Sequence, residues 1–343
     1  MNNVFFPPEW YPQSAVQLTW PHENTDWNYM LEEITSCYIN IAHEILKRQK
    51  LIIVCQNAAA VEHCLGNNFP KNNLKLIEIP SNDTWARDYA SISVLINDQP
   101  VIYDFTFNGW GLKFAANYDN QINKKLLSAQ VFDTSVTYKN MKNLVLEGGS
   151  LESDGKGTLL TTSECLLSPN RNSYLSKEEI EEQLKKIFGL RRILWLDYGY
   201  LSGDDTDSHI DTLARFCDEK TIAYVKCEDS KDEHFDAFCK MEKQLQSFVD
   251  FEENPYKLIP LPMAEKVIFD DERLPATYAN FLIMNDAVLV PIYNTLKDEE
   301  ALIQIEKAFP QKQIVGIDCS PIIKQHGSLH CVTMQYPQNF IKR

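Results

Sequence analysis

The sequence contains no CxxC pair, no G-x-G-x-x-G turn, no Walker loop and no apolar run near the roughly 20 residues of a membrane span. Nine cysteines, an odd number, are scattered along the chain, which excludes a disulfide framework or a zinc ribbon and predicts free thiols in a reducing compartment. Without a glycine-rich first turn, dinucleotide-binding and P-loop folds are not expected. Basic residues are in deficit, 33 against 48 acidic, for a net charge of −15. That balance argues against nucleic acid and against anionic membranes as partners, and is compatible with a small cationic ligand. The opening residues, Met1 to Glu9, carry no basic region followed by a long apolar stretch, so no secretory leader and a cytoplasmic location are expected.

What is present is a chain of ordinary globular composition, 44% apolar and 24% charged over 343 residues, long enough for a sizeable core. Runs rich in Val, Ile and Leu alternate with helical patterns and no Gly/Ser or Pro-rich linker divides them, so residues 1–343 are expected to form a single α/β domain. Helices are predicted over Asp26–Lys47, Ser176–Phe188, Asp232–Phe248 and Lys297–Phe309, and strands over segments such as Leu51–Cys55, Ser91–Ile96, Val101–Phe105, Leu144–Leu146 and Ala287–Val290. Many strands come in pairs followed by a helix and another strand.

Polar residues recur at the start of these pairs. Asp88 and Glu147 are 59 residues apart, Glu147 and His209 are 62 apart, and His209 and Cys331 are 122 apart, or two steps of 61. The skipped step falls near Tyr278-Ala-Asn280, which begins a comparable pair. Five strand-strand-helix-strand units around an axis would bring these positions together, with the segment Ala15–Trp20 completing the last unit after Cys331.

Four motifs carry the chemistry: Asn82-Asp-Thr-Trp-Ala-Arg-Asp88, Leu146-Glu-Gly-Gly-Ser150, Asp204-Asp-Thr-Asp-Ser-His-Ile-Asp211 and Gly327-Ser-Leu-His-Cys-Val-Thr333. Together with Trp20-Pro21, Asn108-Gly-Trp-Gly111, Asn170-Arg-Asn172 and Tyr278-x-Asn280, they resemble the agmatine deiminase and bacterial peptidylarginine deiminase family over nearly the whole chain. The resemblance implies a five-bladed α/β propeller, the pentein fold, with a Cys, His and carboxylate site in a central channel. It also implies deimination of a guanidine, agmatine first, yielding N-carbamoylputrescine and ammonia on a route to putrescine, with no cofactor. Homodimers are the expectation from family members that self-associate.

The residues make chemical sense in those roles. A guanidinium is a planar fork of N–H donors, and Asp88 and Asp211 are the candidate clamps for it. Cys331 is the candidate nucleophile, its thiolate favoured by the bound cation. His209, two residues from Asp211 and expected on the same strand face, is the candidate proton carrier. Glu147 is expected to orient His209 or contact a guanidinium nitrogen, and Gly148 to allow close backbone approach. Trp85 and Trp110 are candidate walls over the guanidinium plane, and Asp205 and Asp207 candidate partners for a substrate amine. His330 reads as a satisfied structural histidine, because neighbours on an extended strand face opposite ways, Arg87 reads as a structural ion-pair partner, and His330-Cys331 has too few companions for a metal site, so none is expected.

An acidic loop suits an amine tail, whereas arginine or a peptide terminus would call for a basic partner. The chain departs from the agmatine group, which carries E-T-D-G-H where this sequence has Asp205-Thr-Asp-Ser-His209, and G-G-G-N-I-H-C where it has Gln325-His-Gly-Ser-Leu-His-Cys331. Peptidylarginine is therefore the second substrate to weigh. Amidinotransferases share the Cys and His logic, and non-catalytic ribosome-binding penteins share the fold.

Overall fold

The computed structural model describes residues 3–342. The helices form where the sequence places them, with trimmed ends. Leu31–Leu46 buries Ile34, Tyr38, Ile41 and Ile45, one apolar stripe of helical period. Lys177–Phe188 is closed at its start by a reciprocal capping box between Ser176 and Glu179 and at its end by Gly189 in the left-handed conformation.

Five sheets are built on one plan, an antiparallel pair whose second strand is joined through a helix to a parallel third. Ile92–Ile96 pairs antiparallel with Gln99–Thr106, which runs parallel to Thr137–Val145 after the helix Asp119–Ser128. The second unit is Glu152–Ser153, Thr158–Thr162 and Arg192–Leu196 around the helix Lys177–Phe188. The third is Ala214–Asp218, Thr221–Lys226 and Lys257–Pro262 around Phe235–Ser247. The fourth is Leu282–Ile283, Ala287–Ile292 and Gln313–Asp318 around Asp298–Ala308.

The fifth unit joins the two ends of the chain. Thr333–Pro337 pairs antiparallel with Gln13–Thr19, which runs parallel to Lys50–Cys55 through the helix Leu31–Leu46. The expectation that the segment around Ala15–Trp20 completes the last unit is thus met. Lys50–Cys55 is buried along nearly all its length, because Gln13–Thr19 and Leu74–Glu78 flank it in the sheet and helices cover it.

Some elements differ from the expected bounds. Leu144–Leu146 is only the end of a nine-residue strand, Thr137–Val145, whose polar and mostly solvent-facing first half has no apolar run to betray it. Ile268–Phe269 and Glu272–Arg273 form a separate ribbon, turned by Asp270 and Asp271 at φ 50° and 63°. Among the described residues no helix is long and apolar enough to cross a membrane.

Candidate active site

The polar residues read from the spacing sit in the short turns just before each unit's first strand. Asp88 lies in the turn of helix Ala86–Tyr89, Glu147 precedes the turn Gly148–Ser150, Asp211 lies in the turn Ile210–Thr212 with His209 at its start, Asn280 stands two residues before Leu282, and Cys331 two before Thr333. Contrary to the expectation from their spacing, His209 and Asp211 therefore do not share a strand, and His330 and Cys331 are in a turn and not an extended segment. Tight turns, rather than strand alternation, aim these side chains.

They meet across the units. Cys331 Sγ is 3.9 Å from Asp211 Oδ2 and 3.4 Å from Asn280 Oδ1. The amides of His330 and Cys331 donate to the same Asn280 oxygen at 2.8 and 3.2 Å, and Asn280 Nδ2 donates to the carbonyl of Asp211. Asp88 accepts from the Gly149 amide at 3.0 Å and from Trp110 Nε1 at 2.9 Å, and its Oδ1 lies 3.6 Å from His209 Nδ1. Asp88, Glu147, His209, Asp211 and Cys331 are all buried.

A cavity of about 160 Å³ opens beside Cys331 and Asp88. Trp85 and Trp110 wall it edge to face, 6.2 Å between ring centroids, and Asp26, Asp83, Asp205 and Thr206 lie around it. Among the described residues no Lys or Arg lines it. Trp110 is held by an uncommon backbone, four successive residues from Gly109 to Leu112 at φ 65°, 54°, 87° and 70°. A left-handed turn of this kind is strained for L-residues. Gly109 is needed there, since a Cβ would come 2.1 Å from the Phe114 carbonyl oxygen. Gly327 lies flat against the Trp85 ring, where a Cβ would come within 2.1 Å.

Burial sets the protonation of the site. It pushes the Cys331 thiol well above its ordinary pKa, with Asp211 and Asp88 acting the same way. It lowers His209 to about 3. Asp88 is raised by burial and by the negative Asp211. Burial would raise Asp211 also, but the His330 hydrogen bond and the nearby cationic groups outweigh it and hold that carboxyl low. Both ring nitrogens of His209 and Asp211 Oδ1 are buried with no hydrogen-bond partner among the described residues. Such orphaned atoms are rare away from functional sites.

Three expected contacts are corrected. Gly148 does not face the cavity: a Cβ there would strike the Arg87 carbonyl, 2.2 Å away, and it is Gly149 that lies against His209, Asp88 and Asp211. Asp207 does not line the cavity either, being ion-paired to Lys113 at 2.8 Å and to Arg171 at 2.6 Å. Glu147 makes no hydrogen bond to His209; both its oxygens take Arg171 Nε at 2.9 Å. Asp205 does line the cavity, and Asp204 caps its own loop by accepting from Thr206 and Ser208.

Glu9, Asn280, Arg171 and Gly149 were not singled out for the site by sequence reasoning. Glu9 joins His330, Arg215 and the strand amide of Ile283 in one buried network. Its signal was slight, an acid after Pro7-Pro8 in an otherwise apolar stretch; Asn280 was marked only by the fivefold spacing. His330, expected to be a satisfied structural histidine, bonds Asp211 through Nδ1 and Glu9 through Nε2, both at 2.7 Å. Arg87, expected to be an ion-pair partner, reaches Gln335 at 2.7 Å and Glu9 at 4.0 Å.

A mixed α/β fold of five such units, with a buried thiol, histidine and paired carboxylates at their junction, defines a hydrolase of amidine C–N bonds. The chain belongs to the Porphyromonas-type peptidyl-arginine deiminase family, whose model matches residues 5–337. It is 31% identical to the agmatine deiminase of Medicago truncatula, over 96% of each chain. Among solved structures, it is similar to a Porphyromonas gingivalis protein provisionally named arginine deiminase, at 53% identity and TM-score 0.96 over 99% of this chain and all of that one. It is also similar to a cysteine-to-serine variant of C. jejuni agmatine deiminase with substrate bound, at 38% identity and TM-score 0.91 over 98% of this chain and 96% of that one.

Proposed function

We propose that the protein is an agmatine deiminase, converting agmatine to N-carbamoylputrescine and ammonia in the cytoplasm, as a step toward putrescine, with residues 1–343 acting as one catalytic domain. The observation that carries the reading is the Cys331 thiol, 3.9 Å from Asp211, in an acidic, tryptophan-walled cavity that also exposes Asp88. Asp88 and Asp211 clamp the guanidinium by paired, charge-assisted hydrogen bonds and leave its carbon open to sulfur. The cation's arrival lowers the Cys331 pKa, and neutral His209 takes the thiol proton. Sulfur attacks the guanidinium carbon, His209 returns the proton to one nitrogen, and the C–N bond breaks to release ammonia. Water activated by His209 then attacks the thiouronium carbon, the C–S bond breaks, and the thiol is restored. This sequence needs neither metal nor cofactor.

Substrate choice rests on the mouth of the cavity. An amine tail meets Asp26, Asp83 and Asp205, whereas the carboxylate of free arginine would find no Lys or Arg there among the described residues. Burial and the nearby Asp26 raise Asp83 to about 7, so its carboxyl is only partly ionised at neutral pH. Similarity at 44% identity to a protein provisionally named peptidyl-arginine deiminase makes peptidylarginine the second reading. Ammonia release from agmatine, free arginine and an arginine-terminated peptide separates them, with Cys331→Ser alongside. Turnover of agmatine alone supports the proposal, and turnover of the peptide alone replaces its substrate.

A further inference from the structure

Deimination as described uses His209 and leaves Cys165 without a role. Yet Glu147, Cys165 and His209 each offer a ligand atom, and the three atoms lie within 4.8 Å of one another. All three residues are buried, and both nitrogens of His209 lack a hydrogen-bond partner among the described residues. Sulfur, imidazole nitrogen and carboxylate oxygen are the donor set of a tetrahedral zinc site with one open position. With metal–ligand bonds of about 2.0–2.3 Å, tetrahedral ligand atoms stand roughly 3.3–3.7 Å apart, so the trio needs to close by about 1 Å.

Cys165 is buried, with the Arg171 guanidinium and then the carboxylates of Glu147, Asp207 and Asp88 as its charged neighbours. Glu147 already accepts from Arg171 Nε, but a carboxylate has about four lone-pair positions and keeps some for a metal. A metal-bound histidine is normally steadied through its other N–H by a carboxylate, and Asp88 Oδ1, 3.6 Å from Nδ1, stands ready when Nε2 is the ligand.

We propose that Glu147, Cys165 and His209 form an inhibitory site for a thiophilic divalent cation, Zn²⁺, and that its occupation withdraws His209 from proton transfer. On binding, the Cys165 S–H bond breaks, the S–Zn bond forms and the proton passes to buffer. The inhibitory half rests on the deiminase reading; the metal site itself does not.

The test separates the two. Zn²⁺ binding is measured by competition with a chelating dye on Cys331→Ser protein, which lacks the thiol that lines the cleft, and on Cys331→Ser/Cys165→Ala. A loss of tenfold or more in affinity with Cys165 removed is expected; equal affinity overturns the site. Co²⁺ should give a thiolate charge-transfer band in the first protein and not in the second. In ammonia-release assays at buffered Zn²⁺, Cys165→Ala should withstand at least tenfold more metal than the parent. Equal sensitivity would place the inhibition at Cys331 and overturn the proposal. Should Cys165→Ala melt below the assay temperature, Cys165→Ser, which keeps the volume but not the soft donor, is read instead. Failure to turn over any guanidine would remove the deiminase reading while the dye experiment still decides the metal site.

Discussion

His330 Nδ1 lies 2.7 Å from Asp211 Oδ2, so the carboxylate beside the Cys331 sulfur is held from behind by the residue next to that cysteine. The far side of His330 meets Glu9, which also takes Arg215 at 2.7 Å. The site is thereby tied to the first turn of the chain, 321 residues away.

Removing Glu9 should show how much this network holds. Glu9→Ala leaves Arg215, Arg87 and His330 gathered around a missing carboxylate, and breaking a buried pair in this way typically costs about 3–5 kcal/mol. Urea unfolding should show a loss of that order, with Glu9→Gln losing less because its amide oxygen still accepts. An unchanged midpoint for Glu9→Ala would mean that the network contributes nothing to stability.

Gly149 offers a sharper test of geometry. A Cβ there would stand 2.5 Å from His209 Nδ1 and 2.8 Å from Asp88 Oδ1. Displacing reacting groups by about 1 Å can cost roughly 100-fold, so Gly149→Ala is expected to lower kcat/KM by about that factor while circular dichroism stays unchanged. Near-parental activity would show that the two residues need not be so closely placed.

The Asp88 carboxyl, raised by burial and Asp211, is drawn to its protonated form in the free protein. A guanidinium favours the carboxylate, so binding should expel a proton. Calorimetry of agmatine on Cys331→Ser in buffers of different ionisation enthalpy should report up to about one proton released per ligand, diminishing as pH rises through the Asp88 pKa of the empty protein. Proton uptake would contradict the assignment of Asp88 as a clamp.

At the mouth, Asp205→Asn should raise KM for agmatine by roughly tenfold, near the 1–2 kcal/mol of a partly exposed charge-assisted contact. Its kcat should change by less than about twofold, since an interaction made equally in ground and transition states leaves kcat alone. A fall in kcat with KM unchanged would place Asp205 at the reacting carbon.

Much of this was legible in the sequence, and the reasons differ by residue. The near-61-residue spacing of Asp88, Glu147, His209 and Cys331 records one strand-strand-helix-strand unit per step, so a chemical residue at the head of each unit repeats with the fold. Strand alternation misled at the finer scale. It placed His209 and Asp211 on one strand, where the chain makes a turn, because two-residue spacing has the same appearance in both. Long-range ion pairs were beyond reach: nothing near Glu147 announces Arg171, 24 residues on, and nothing near Asp207 announces that Arg171 and Lys113 will claim it. Two adjacent glycines are alike in sequence, and only the packed structure shows that Gly148 meets a backbone carbonyl while Gly149 meets the reacting groups.

The central claim is that Cys331 sulfur becomes bonded to the guanidinium carbon. Acid-quenched mass spectrometry of the protein during agmatine turnover tests it most directly. The account predicts an added mass equal to agmatine less ammonia, mapping to the peptide that carries Cys331 and missing from Cys331→Ser. Sustained ammonia release by Cys331→Ser, or an adduct on any other cysteine in its place, would contradict it.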